Sequence, residues 1–583
     1  MLRPGSKWAM TRAEEGDAAK ALGAADRRGV LLERTQSICP GCRRTVAAEV
    51  RERANRVFLR KRCERHGLFE SLVYGDARRY AEIQRYNKPG DRPLELQTES
   101  SKGCPHDCGI CPEHQQHSCL GIIEVNTACN LDCPICFAES GTGAAHAGGG
   151  GFSLSLGEVE RMLDAFVAAE GEPEAVQLSG GEPSIHREIL PMLAAARDRG
   201  IKLLMLNTNG IRLARDRRFA PALADLGVHV YLQFDGFEDS THLAIRGRRL
   251  QQEKRRALDA CAEAGVGVSL AAAVERGVNE HELGAIVRFG VEHPAVNGVF
   301  FQPVTHSGRF LDFDPLERLT NADVIRAIAE QLPEWFREED FVPVPCCSPS
   351  CRSATFALYD GSDLIPLPRL VDVDDYLDYV TNRAVPDLEV KEALEGLFSA
   401  SAAGGTERTG ERLDCVACGV GLPAELREVA ARGFMIVAQD FQDPYTLDVR
   451  KLQKCCVAEI VPDGRLIPFC ARSATASRCA ESCSHAIEAP TAAPCGKSEG
   501  RLGACPVRYA EPHRERWDDP LRGPAPGGRR EGLLRLGLRG RAGALAARRE
   551  LPPGRSERAS PTAWGSWAAM PSRSRSSPSA STR

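Results

Sequence analysis

Between Gly121 and Val304, short apolar runs alternate with longer stretches whose apolar residues recur every three or four positions. The runs Ile122–Val125, Ala175–Ser179, Leu203–Asn207, Val228–Phe234, Val266–Val274 and Gly298–Gln302 predict strands. The stretches Leu156–Ala169, Arg187–Arg199, Arg217–Leu226, Gln252–Ala264 and Glu280–Glu292 predict amphipathic helices between them. Strands alternating with helices imply an α/β fold, a parallel sheet joined by right-handed crossovers. When such a sheet curls into a barrel, its chemistry gathers at the carboxyl ends of the strands.

Those strand ends carry the informative residues. Cys129, Cys133 and Cys136 follow the first run with C-x3-C-x2-C spacing, and Phe137 comes directly after. Three thiolates on one short loop can hold three corners of a four-iron cluster and leave the fourth iron open. The second run leads into Gly180–Gly181–Glu182–Pro183, and the third ends in Asn207–Thr208–Asn209–Gly210. A glycine pair lets backbone approach a ligand closely, and a carboxylate beside it can accept protons from an ammonium group. Either tetrapeptide alone is an ordinary turn signal.

In this order the three motifs resemble the radical S-adenosylmethionine (radical SAM) superfamily. The resemblance implies a partial (β/α)6 TIM-like barrel and a [4Fe-4S] cluster on Cys129, Cys133 and Cys136 whose open iron chelates S-adenosyl-L-methionine. It implies cofactor contacts from Gly180, Gly181 and Glu182 to the amino group, and from Asn207 and Asn209 to the ribose and carboxylate. Phe137 joins this cofactor-binding set. Asp235 and Gln302 fall at the same rim as candidate pocket residues, with turn duty an equal alternative for Asp235–Gly236. Arg246 is either an anion contact or a solvated surface residue.

Composition narrows the class. The 583-residue chain is too long for one domain, and its formal net charge of −4 supplies no basic field for nucleic acid. Its 43% hydrophobic content is ordinary for a globular protein, and no run of eighteen apolar residues spans a bilayer. The N-terminus lacks an apolar signal region. The 23 cysteines cluster in pairs and triplets, which reads as metal ligation in a reducing compartment. A cytoplasmic protein is expected.

Three further metal stations are visible. Cys39, Cys42, Cys63 and His66 form a C-x2-C…C-x2-H pattern that can set four ligands around zinc or iron, with a small hairpin between the pairs. Cys104, Cys108 and Cys111 repeat the C-x3-C-x2-C spacing, with Cys119 available as a fourth ligand of an auxiliary [4Fe-4S] cluster. The rival reading makes this triplet the SAM-binding one. Beyond the barrel, Cys346, Cys347, Cys351, Cys415, Cys418, Cys455, Cys456 and Cys470 suffice for another cluster.

Longer phrases narrow the resemblance. They include Thr35–Cys42, Cys63–Gly67, Gly103–His114, Asn130–Ala138, Phe301–Val304, Cys346–Cys351 and Cys455–Gly464. Together they resemble the tetraether lipid synthase family and its bacterial relatives over Leu32 to Arg472. That family implies a rubredoxin-like or zinc-ribbon-like N-terminal module, several four-iron clusters and carbon–carbon bond formation between lipid chains. It also implies a ferredoxin or flavodoxin as electron donor, a lipid or other small-molecule substrate and peripheral contact with the inner membrane face. The expected layout is 1–31 disordered, 32–76 metal module, 100–120 auxiliary-cluster segment, 121–310 partial barrel, 311–475 Cys-rich auxiliary region and 476–583 low-complexity, disordered tail. Two alternatives stand beside lipid chemistry. One is a radical SAM maturase acting on a peptide. The other is a non-catalytic iron–sulfur protein for electron transfer or binding, which has no need for Gly180–Glu182.

Overall fold

The computed structural model describes residues 29–90, 92–141, 151–310, 314–344, 347–359, 363–369 and 433–475. Cys346, Cys415, Cys418, the expected tail 476–583 and residues 1–28 of the expected tail 1–31 lie outside them, whereas Val30 and Leu31 already belong to the first strand.

All six predicted strands form: β5 (Leu120–Asn126), β6 (Ala175–Gly180), β7 (Leu203–Thr208), β8 (Val228–Gln233), β9 (Val268–Val274) and β10 (Val296–Pro303). They lie side by side in sequence order, each parallel to the next. The helices between them bury one stripe against the sheet. Helix Leu156–Glu170 starts at a reciprocal Ser155–Glu158 capping box and buries Val159, Met162, Leu163 and Phe166.

The sheet is larger than six strands. Two strands from beyond residue 310 extend the parallel series, β14 (Gly433–Gln439) beside β10 and β15 (Val457–Ile460) beside β5. Antiparallel strands then finish each side, β12 (Arg352–Tyr359) with β11 (Val342–Pro343) and β13 (Leu364–Pro366), and β16 (Leu466–Pro468) opposite. The Cys-rich region is therefore partly woven into the barrel sheet. Ile122, Met205, Tyr231, Phe300, Val437 and Phe356, drawn from strands across the whole order, pack in one inner cluster. That requires the sheet to curl. Cys347, after β11, and Cys456, before β15, bring their sulfurs within 2.8 Å, so the two sides of the sheet meet at thiols.

The N-terminal module is a four-stranded antiparallel meander, where the sequence suggested one hairpin. Its strands are β1 (Val30–Ile38), β2 (Thr45–Arg53), β3 (Arg56–Cys63) and β4 (Gly67–Tyr74). Ala54 and Asn55 both take positive φ, 51° and 58°, the geometry of a two-residue hairpin turn that matches strand twist. Val50, Leu59, Tyr74 and Tyr80 pack with Ala322 and Val342, which fastens the module to the barrel.

Candidate functional site

The loop after β5 carries Cys129, Cys133 and Cys136, which pack together with Leu131, Ile211 and Leu250. Backbone bonds fix the loop against the next strand end: Gly181 N donates to Asn126 O at 2.7 Å, and Glu182 N donates to Ala128 O at 2.9 Å. Both glycines are dictated by this approach. A Cβ on Gly180 would lie 2.3 Å from Asn126 O, and one on Gly181 would lie 2.3 Å from Ala128 O. The glycine pair thus serves the cysteine loop directly.

Glu182 is 1% exposed and faces inward. Its carboxylate accepts from Ser184 N at 3.0 Å, Thr208 Oγ1 at 2.6 Å and Asn209 N at 2.7 Å. It therefore ties the ends of β6 and β7 together. Asn207 donates to Ser179 Oγ at 3.0 Å, and the Asn209 amide donates to Asn130 Oδ1 in the cysteine loop at 2.6 Å. Lys254, buried beneath, donates to Asn209 O at 2.7 Å. Burial pulls its ammonium down to about 8, against the attraction of Asp235.

Asp235 departs from the expectation of a pocket residue. It is 0% exposed and clamps Arg246 through two 2.6 Å bonds, while accepting from Ala273 N at 3.0 Å. Burial opposes its charge, but Arg246 wins and holds the carboxyl below its usual range. Arg246 is accordingly neither a solvated surface residue nor a free anion contact. Gln302 donates to Tyr231 Oη at 2.8 Å inside the barrel. Phe137 stacks on Phe469, centroids 4.8 Å apart, so the cysteine loop touches the segment after β16.

Sequence reasoning missed the brace on the far side of the loop. Cys136 and Arg309 exchange backbone bonds of 2.8 and 3.0 Å, and the Arg309 guanidinium donates to Cys133 O at 3.0 Å and to Ser140 O. Gly308, at φ +68°, permits this contact, since a Cβ there would lie 2.3 Å from Cys136 O. An isolated Gly–Arg after a strand carries no motif that would have revealed it.

The donor set fits an iron–sulfur group. Burial pushes the Cys129 thiol up to about 12, and Glu182, Cys133 and Cys136 push the same way. Burial likewise raises Cys133, partly offset by Arg246. Burial that disfavours ionisation of Cys129 and Cys133 is an environment a bound cation reverses, since a coordinating thiol loses its proton outright.

The N-terminal station converges as well. The ligand atoms of Cys39, Cys42, Cys63 and His66 all lie within 4.8 Å of one another. Cys39 Sγ is 3.4 Å and Cys63 Sγ 3.5 Å from His66 Nδ1. Two thiol-bearing turns and an imidazole at this separation suit tetrahedral zinc or iron.

The cysteines of the auxiliary segment pack in two clusters. Cys104 and Cys108 pack beside Leu447 and Cys470, whereas Cys119 lies in the inner cluster with Cys347 and Cys456. Cys104 feels Cys108 and Cys111, while Cys119, the residue before β5, packs in the inner cluster. Cys351, Cys455 and Cys470 form a second trio at the seam. Burial raises them to about 11, 12 and 12, and each feels another of the three.

Among the described residues, no helix is long and apolar enough to cross a membrane. The radical SAM superfamily model matches residues 123–290, and the model of the HMPTM N-terminal zinc ribbon domain matches residues 31–75. The chain is 31% identical over 477 residues to the 7,8-dihydro-6-hydroxymethylpterin dimethyltransferase of Methanocaldococcus jannaschii, covering 76% of this chain and 93% of that protein. It is 28% identical over 183 residues to the GTP 3′,8-cyclase of Shewanella denitrificans, covering 31% of this chain and 51% of the cyclase. Among solved structures, Streptococcus suis SuiB aligns at 16% identity and a TM-score of 0.30, covering 37% of this chain and 46% of that one.

Proposed function

From the premise that this chain belongs to the radical SAM superfamily, in one family with the archaeal dimethyltransferase, we propose that it functionalises an unactivated C–H bond of a substrate held at the carboxyl rim of the barrel. The observation that carries this reading is the packing of Cys129, Cys133 and Cys136 in one cluster, on a loop bonded to the Gly180–Glu182 and Asn207–Gly210 strand ends. Bound there, a four-iron cluster with an open iron would supply the electron that splits S-adenosylmethionine into methionine and a 5′-deoxyadenosyl radical.

The chain's own part is positional. Cys129, Cys133 and Cys136 hold the group, Gly180 and Gly181 let backbone pass beside it, and Glu182 fixes the neighbouring strand end. The inward Asn207 and Gln302 amides offer polar contacts at the rim. The curled sheet excludes water from a radical that would otherwise be quenched. Cys351, Cys455 and Cys470 would hold an auxiliary cluster at the seam, and Cys39, Cys42, Cys63 and His66 a zinc or iron ion. Ferredoxin or flavodoxin would donate the electron.

Two substrate classes follow from separate observations. The name of the archaeal relative supports methylation of a reduced pterin. The second class, joining or modifying lipid alkyl chains with peripheral membrane contact, is implied only by the resemblance of the phrases from Thr35 to Gly464 to the tetraether lipid synthase family. The relative matched over 93% of its own length is the dimethyltransferase instead. Anaerobic enzyme given each substrate with methyl-labelled S-adenosylmethionine separates them by mass. A labelled methyl on the pterin supports the first, and an unlabelled carbon–carbon product from lipid supports the second. No product from either class, nor from a peptide, contradicts the proposal.

A further inference from the structure

A cleft of about 180 Å³ opens at the carboxyl ends of β9 and β10, where Val304 N donates to Val274 O at 3.0 Å. Glu275, His306, Asp314, Glu317 and Arg318 line it beside Val304. Its place near the cysteine loop follows from the chain. His306 stands three residues before Arg309, whose backbone bonds to Cys136, so the Cα atoms of His306 and Arg309 lie within about 11 Å. Glu275 is carried on a fixed turn. Its N–H donates to Asn279 Oδ1 at 2.9 Å, and its carbonyl oxygen accepts from Val278 N at 3.1 Å. The buried Asn279 amide is held in turn, donating to Asp235 O and Ala273 O, both at 2.8 Å.

Most charged groups around the cleft are already engaged. Arg318 donates to Asp443 Oδ2 at 2.8 Å, His306 Nδ1 lies 3.3 Å from the same oxygen, and Glu317 pairs with Arg56 at 3.2 Å. Asp314 accepts from Leu316 N at 2.8 Å. The Glu275 carboxylate, by contrast, makes no hydrogen bond or ion pair with a side chain of the described residues. Burial pushes its carboxyl above the usual range, against the pull of Arg318. A charge desolvated in this way carries a cost that the N–H donors of a ligand would offset.

The ligand chemistry follows from the acceptor. An ionised carboxylate accepts through two oxygens side by side, and so matches two parallel N–H donors. The pyrimidine ring of a pterin presents that edge, with N3–H and an N–H of the 2-amino group pointing the same way. An alkyl chain offers it nothing. We propose that Glu275 is the specificity-determining residue for a pterin seated in this cleft, its carboxylate accepting from N3–H and the 2-amino group together. The inference rests on the reading of a reduced pterin as the substrate.

The test is anaerobic equilibrium dialysis of the reconstituted full chain against 6-hydroxymethylpterin and, separately, 6-hydroxymethyllumazine. The second compound carries a carbonyl oxygen in place of the 2-amino group. The wild type should bind the pterin at least about tenfold more tightly, because the lumazine sets that oxygen against a carboxylate oxygen. Glu275→Gln should lose about tenfold for the pterin and reverse the preference. Its carboxamide pairs an oxygen with N3–H and an N–H with the lumazine carbonyl. The exchange is nearly isosteric, and a melt of the variant confirms that it folds. Unchanged affinity and preference in Glu275→Gln, or a wild type that binds both compounds alike, would overturn the proposal and leave pterin binding standing. A wild type that binds neither compound would sink the pterin reading and the proposal with it.

Discussion

Gly181 and Ala128 are packed so tightly that a Cβ on Gly181 would stand 2.3 Å from the Ala128 carbonyl oxygen. This contact joins the cysteine loop to the end of β6, and backbone cannot yield as a flexible side chain could. Gly181→Ala should therefore cost about 1–3 kcal/mol by overpacking. It should also reduce iron incorporation, because the strain falls on the loop itself. Denaturant unfolding and iron analysis of the variant check both effects.

Glu182 makes a second connection, and its removal has a different signature. Glu182→Ala leaves the Thr208 hydroxyl and the Asn209 and Ser184 N–H groups without their acceptor. Each unsatisfied buried group costs about 1–3 kcal/mol, so a loss of about 3 kcal/mol or more is expected in urea unfolding. S-adenosylmethionine cleavage should fall further than stability does, since β7 loses its register with the cysteine loop.

Asp440 gives a prediction in pH. Burial raises its carboxyl to about 6 against the attraction of Arg318, and only Oδ2 is paired, with Asn321 N at 2.9 Å. The ordinary value is 3.8, so between 3.8 and about 6 the folded chain binds more protons than the unfolded one. This site's stabilising contribution is full below pH 3.8 and is lost as pH rises through 6. Asp440→Asn should thus stabilise the protein by about 1–3 kcal/mol at pH 7–8 and hardly at all near pH 4. Thermal melts of both proteins across that range decide it.

Metal removal should act on the N-terminal module before the barrel. With Cys39, Cys42, Cys63 and His66 all inside 4.8 Å, the bound ion cross-links the β1–β2 and β3–β4 turns. A chelator or His66→Ala should lower the melting temperature of the module, and Cys63→Ser should abolish stoichiometric zinc or iron there. Unchanged metal content in Cys63→Ser would contradict this ligand set.

Much of this architecture was legible in the sequence because periodicity and spacing encode it. Six strands between Leu120 and Pro303 follow the apolar runs closely, and the cysteine triplet, Gly180–Glu182 and Asn207–Gly210 all meet at one rim. What escaped depended on long-range closure. β14 and β15 are ordinary apolar runs whose place beside β10 and β5 no local pattern specifies. Cys119 packs in one cluster with Cys347 and Cys456, a long-range contact that its nearness in sequence to Cys111 does not reveal. Asp235 stood at a strand end like its neighbours. Its commitment to Arg246, eleven residues later across a turn and a helix, left no trace in spacing.

The most direct measurement is anaerobic reconstitution with iron and sulfide, reduction with dithionite in the presence of S-adenosylmethionine, and chromatography for 5′-deoxyadenosine. Cys133→Ala is run alongside. The account predicts 5′-deoxyadenosine from the wild type and at least a hundredfold less from the variant (on the order of the loss expected when a group essential to the chemistry is removed). Equal yields from the two proteins, or none from fully loaded wild type, would contradict it.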